Sequence, residues 1–172
     1  MHSMCSLLLS AALLCACSPA LDWRQMRPAG LGVQAVFPCR PASLAREVSV
    51  LRRRSQMVVH ACSAGGSTYA VSGVTIGDVG EVAAAMKFLR DAASRNLDAG
   101  SPPAQPFEVP GMTPNAQAGR FMVTGRRPDG STVTEHLLLF AYGARVYQAS
   151  VLGDSPDEAA VAVFFGGLRV TP

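Results

Sequence analysis

Lysine is all but missing from this chain. Lys87 stands alone against fourteen arginines, and the net charge is a mild +3 over 172 residues. That balance is too small to argue for a nucleic-acid partner. Aromatic residues make up only 6% of the sequence, too few for a platform that stacks single-stranded bases. No apolar run reaches the roughly 20 residues that a membrane-crossing helix needs. Phosphate-loop, Gly-x-Ser-x-Gly and Cys-x-x-Cys motifs are absent, and Gly73, Gly77 and Gly80 are spaced wrongly for a dinucleotide loop. Histidine is scarce as well. Beyond the first residues only His60 and His136 remain, each alone in a strand-like segment, whereas a zinc site needs three or four ligands. Glu135 and His136 are sequence neighbours in such a segment, so their side chains point to opposite faces and argue against an acid–base pair. These absences set the expectation of a non-enzymatic protein with no metal, no cofactor and no nucleic-acid partner.

What is present begins with an apolar run of about ten residues that ends at Leu14-Cys15-Ala16-Cys17. The run is too short to span a bilayer and reads as a secretory signal over residues 1–16. Its end resembles the lipobox of bacterial lipoproteins. That resemblance implies lipidation of Cys17, with a diacylglycerol on its sulfur and a third acyl chain on its amine. One chain anchors a protein only marginally, whereas three exceed the threshold for stable anchoring. Ser18 follows Cys17, and by analogy the protein belongs in the outer membrane, facing the periplasm. An ordinary signal peptide cut near Ala16 is the alternative. Residues 17–30 then read as a short tether broken by Pro19, Pro28 and Gly30. Trp23, within it, either packs back onto the domain or sits near the lipid interface.

Residues 31–172 have the length of one domain with its own core. Two of the five cysteines leave with the signal, and Cys17 would be blocked by lipid. Cys39 and Cys62 remain as one pair in an oxidising compartment. Joined, they would contribute about 3 kcal/mol in the chain-entropy model. The alternative is a pair of buried free thiols.

Hydrophobic period sets the elements. Strands are expected over 32–37, 47–51, 57–62 and 68–76, the last interrupted by Gly73 at a possible bulge. Asp78 is a helix N-cap with Glu81 in the capping-box position. Val82, Met86, Leu89, Ala93 and Leu97 recur on one helical face that ends near Asn96. The proline-rich stretch 98–115 reads either as a crossover connection or as a mobile, functional surface loop. Strands follow over 120–126, 131–142 and 145–152, with turns at Pro128-Asp129-Gly130 and Gly143-Ala144. Leu137 to Phe140 is apolar on both faces, which places that strand centrally under helices. Ser155-Pro156-Asp157-Glu158 reads as a second capping box, and residues 168–170 as a short closing strand. The fold class expected is α+β, an antiparallel sheet flanked by two main helices in a three-layer sandwich.

This order of elements, with certain words in it, resembles a PsbP-like domain. The words are Ala35-Val-Phe-Pro38, Pro128-Asp-Gly130, Gly143-Ala-Arg-Val-Tyr-Gln148 with Val151-Leu-Gly153, and Phe164-Phe165. The resemblance spans residues 31–172. It implies a non-enzymatic domain that binds or steadies a membrane complex, and it carries no catalytic residue to transfer. The Cys39/Cys62 pair is not part of that general pattern.

Arg52-Arg53-Arg54 is the densest run of charge. It is either a solvated hairpin end or a contact for anionic lipid headgroups or an acidic partner, where each Arg would contribute about 1 kcal/mol. Arg126-Arg127, in another turn, would extend that patch. Two functions are therefore expected. The first is a lipid-anchored envelope protein that serves as an interaction or assembly module with an envelope protein partner. The second is a periplasmic small-ligand carrier using a cleft beside residues 98–115.

Overall fold

A computed structural model describes residues 21–172; the signal segment and Cys17 lie outside the described residues. The chain opens with β1 (Arg24–Met26) and β2 (Val33–Phe37). A first meander follows: β3 (Ala42–Val50), β4 (Arg53–Ala64) and β5 (Ser67–Thr75). A 3-10 turn at Val79–Glu81 leads into α1 (Val82–Asn96). After an irregular stretch come β6 (Gly119–Arg126), β7 (Thr132–Tyr142) and β8 (Arg145–Gly153), then α2 (Glu158–Gly166) and β9 (Arg169–Val170). The two meanders join into one antiparallel six-stranded sheet, ordered β3-β4-β5-β8-β7-β6. β1, β2 and β9 form a separate three-stranded sheet.

This corrects the expected architecture. The molecule is mostly β, with two sheets, one long helix and one short helix, rather than a single sheet flanked by two main helices. β2 pairs with β1 and β9 instead of entering the main sheet. Its inward residues Val33, Ala35 and Phe37 bury against the large sheet from outside. α2 has nine residues and is therefore about 14 Å long, too short to cover six strands that span about 24 Å. The second sheet supplies the rest of that layer. The tether is also shorter than expected, because Arg24–Met26 is a strand and Trp23 packs edge-on against Tyr69 at 6.1 Å.

Two cores result. On one face of the large sheet, Tyr69, Val71, Leu138, Phe140, Tyr147 and Ala149 meet β2 and the α2 residues Val161, Phe164 and Phe165. On the other, Leu137, Leu139, Phe121 and Val146 meet the α1 stripe of Val82, Met86, Leu89 and Ala93. β7 feeds both cores, as its doubly apolar run implies.

Local details decide the boundaries. The Asp78 carboxylate accepts from the Gly80 amide at 2.8 Å and starts the helical turn before α1. Glu81 forms no reciprocal box and turns instead to Arg53. α2 is capped two residues later than expected, by Asp157 rather than Ser155, with the Asp157 carboxylate accepting from the Ala160 amide at 2.7 Å. No bulge occurs at Gly73, since the register runs through it from Val58 to Tyr147. A Cβ there would lie 3.0 Å from Leu31 and 3.1 Å from Arg145, so glycine makes room for the loop over that face. Cys39 and Cys62 are joined, with Cα atoms 6.0 Å apart, which pins the end of β2 to β4.

Candidate functional site

α1 crosses only part of its face of the large sheet. It shares a core with Phe121, Leu137 and Leu139 of β6 and β7 and with the row Met57, Val74 and Val146 of β4, β5 and β8, together with Val50 of β3. Two residues further along β4, β5 and β8 the same face changes character. The strand registers place Val59, Ser72 and Gln148 in one row and Ala61, Ala70 and Ser150 in the next. Small and hydroxyl side chains here leave space that larger apolar residues would fill. The result is a groove of about 320 Å³ between the sheet floor and the α1 residues Phe88, Leu89, Ala92, Ala93 and Asn96. Arg46, Val48 and Val50 of β3 form its far wall.

Glu135 of β7 also lines this groove. It forms an ion pair with none of the described basic residues. Burial alone pushes its carboxyl from 4.5 up to about 7. Sequence reasoning missed this residue as a site. The signal was present: Glu135 lies two residues before Leu137-Leu-Leu-Phe140 and stands half-buried at the edge of the buried run of the strand.

His136, on the opposite face of β7, closes a different cluster. Its Nδ1 accepts from Arg120 at 3.0 Å, and its Nε2 lies 3.4 Å from a Glu158 oxygen. Arg120 also donates to Glu158 at 2.7 Å. Burial lowers the His136 pKa, partly opposed by Glu158, so the imidazole is held neutral. The cluster ties β6 and β7 to the first turn of α2. His60 is equally occupied, with its Nε2 2.9 Å from the Ala29 carbonyl. Among the described residues no group of three His, Cys, Asp or Glu side chains could hold a metal.

The arginine run sits at the β3–β4 hairpin. Arg53 pairs with Glu81 at 3.3 Å and Arg54 with Glu47 at 3.4 Å, which leaves Arg52 as the member without an ion pair among the described residues. Arg126 and Arg127 do not extend this patch. They lie at the β6–β7 turn, where Arg127 pairs with Asp154 at 2.6 Å, at the other end of the sheet. The chain also enters at that other end, where Leu21 packs over Gly65 in the β4–β5 turn. The twelve residues of β4 separate the two ends by about 40 Å. Leu21 and the Arg52–Arg54 run therefore lie at opposite ends of the domain.

The 98–115 segment is irregular apart from a bridge between Gln105 and Arg120. Val109 is buried in the core, and Phe107 packs edge-on against Phe165 at 6.1 Å. Its clefts, of about 460 and 320 Å³, are walled by residues 106–118 themselves, with no residue of the large sheet.

No family model and no curated protein matches this chain. One solved structure similar in outline is a crystal structure of a protein from Bacteroides thetaiotaomicron VPI-5482. It is 9% identical, with a TM-score of 0.45 over 82% of this chain and 46% of that one. The chain thus spans less than half of that protein, and a likeness so loose carries no argument about fold or function.

Proposed function

We propose that this protein is a lipid-anchored, non-enzymatic binding protein of the bacterial envelope, and that it carries a small ligand in the groove between α1 and the six-stranded sheet. The observation that carries the reading is the change of character across one sheet face. Where α1 packs, the face is apolar; beside it the floor turns to Ala, Ser and Gln around a space of about 320 Å³. That volume lies within the range of small-ligand sites, which combine apolar walls with a few convergent polar groups. The Cys39–Cys62 disulfide supports export, since such bonds persist in oxidising compartments. The lipobox-like Cys17 supports the anchor. The carrier site thus moves from the 98–115 loop to the groove.

Native mass spectrometry of the full chain, extracted from its own membranes, tests this reading. A small molecule should travel with the wild type and be lost from Ala70→Trp, which fills the groove floor. Retention of the same molecule by Ala70→Trp would place the cargo elsewhere. The assembly-module reading retains one observation in its favour: β3 is a nine-residue edge strand with Leu44 59% exposed. Edges of this kind accept an added strand, and a photocrosslinker at position 44 would capture one.

A further inference from the structure

We infer that the groove recognises a small unbranched molecule through a primary ammonium group seated against Glu135. This rests on the groove being the cargo site, as proposed above. Glu135 is the sole acidic residue on the groove walls, and Arg46 is the sole basic one. Arg46 belongs to edge strand β3, four strands away from β7 in the sheet order, or about 19 Å across the sheet. The elements nearer Glu135 add no charge to the walls. β8 offers Gln148 and Ser150, and α1 offers Asn96 at its last turn. Arg95 in that turn is exposed and is not part of the groove walls, so Glu135 sets the sign of this end. An anion is repelled at this end of the groove, and a neutral molecule gains only ordinary hydrogen bonds. An ammonium gains a charge pair in a partly desolvated site and brings three donors, which the carboxylate and the neighbouring Ser and Gln oxygens are suited to accept. The floor of Ala70, Ser72 and Ser150 favours a thin chain over a branched or aromatic body.

The free carboxyl is held near neutrality by burial. Seating a cation against it favours the ionised form. Binding near pH 7 therefore releases a proton, a signature that a purely steric pocket lacks.

The test is isothermal calorimetry on the full chain with three linear four-carbon probes: putrescine, 1,4-butanediol and succinate. Putrescine should bind with a dissociation constant of about 1 mM or tighter, and each of the others at least about tenfold more weakly. In two buffers of different ionisation enthalpy, putrescine binding should release protons. Glu135→Gln should weaken putrescine by about tenfold or more and abolish proton release, with the melting transition intact. Gln148→Lys is the independent variant; it should exclude putrescine and improve succinate. Equal binding of butanediol and putrescine, both lost in Ala70→Trp, would overturn the ammonium inference while leaving the groove as the cargo site. Putrescine binding that survives Ala70→Trp would overturn both readings. Absence of putrescine binding at about 10 mM would overturn the ammonium inference alone, because co-purified cargo tests the groove separately.

Discussion

Glu135 and His136 are adjacent, and the fold treats them as opposites. For Glu135 the folded state holds its proton more tightly than the unfolded chain, with a pKa of about 7 against 4.5. Its favourable contribution is fully present below about pH 4.5 and is lost as the pH rises through 7. The whole span amounts to about 3.5 kcal/mol at most, at roughly 1.4 kcal/mol per unit. Denaturant unfolding between pH 5 and 8 should therefore show wild-type stability falling relative to Glu135→Gln, with the gap widest at pH 8; parallel curves would refute it. His136 runs the other way, because burial lowers its pKa. Its contribution is complete above the unfolded value of 6.5 and declines as the pH falls below it. The opposite-face placement of the pair was legible from strand period alone. The chemistry of Glu135 was not, because period two reports which face a residue occupies and says nothing about what covers that face.

At the scale of elements, the β3–β4 hairpin shows what composition hides. Its turn residues Leu51 and Arg52 both have positive φ, at 50° and 67°, a conformation that two-residue hairpin turns normally give to Asn and Gly. A non-glycine residue pays about 1 kcal/mol or more for it. Arg52→Gly should raise stability by about 1 kcal/mol, and the melting temperature by about 3 °C, since the exposed Arg52 side chain has no ion-pair partner to lose among the described residues. An unchanged or lower melting temperature would count against strain in this turn. The arginine run gave a hairpin end in the sequence but no turn signal, so β3 was expected to cover 47–51 and instead occupies Ala42–Val50. Elements with strong local markers were readable: α1 from its apolar stripe and the Asp78 cap, β7 from its long apolar run, and the β7–β8 turn from Gly143. The proline-rich stretch was readable as irregular, but Phe107 and Val109 reach the core through contacts that no local pattern encodes.

At the scale of the whole molecule, the second sheet is what the sequence concealed. β1 has three residues and β9 has two, too few to show any period, and β2 meets β9 only across more than 130 residues of chain. The Cys39–Cys62 link holds this sheet against the larger one. Replacing both cysteines by alanine should cost about 3 kcal/mol, and amide exchange should rise first in β1 and β2. Uniform loosening across both sheets would contradict that order. The same link has a mechanical meaning. A tug on the chain ahead of Leu21 can strip away β1 and then β2, but the peeling front halts at Cys39, where a covalent bond passes the load into β4. Rupture can thus be confined to the stretch ahead of residue 39, with the groove and the six strands beneath it left standing under tension.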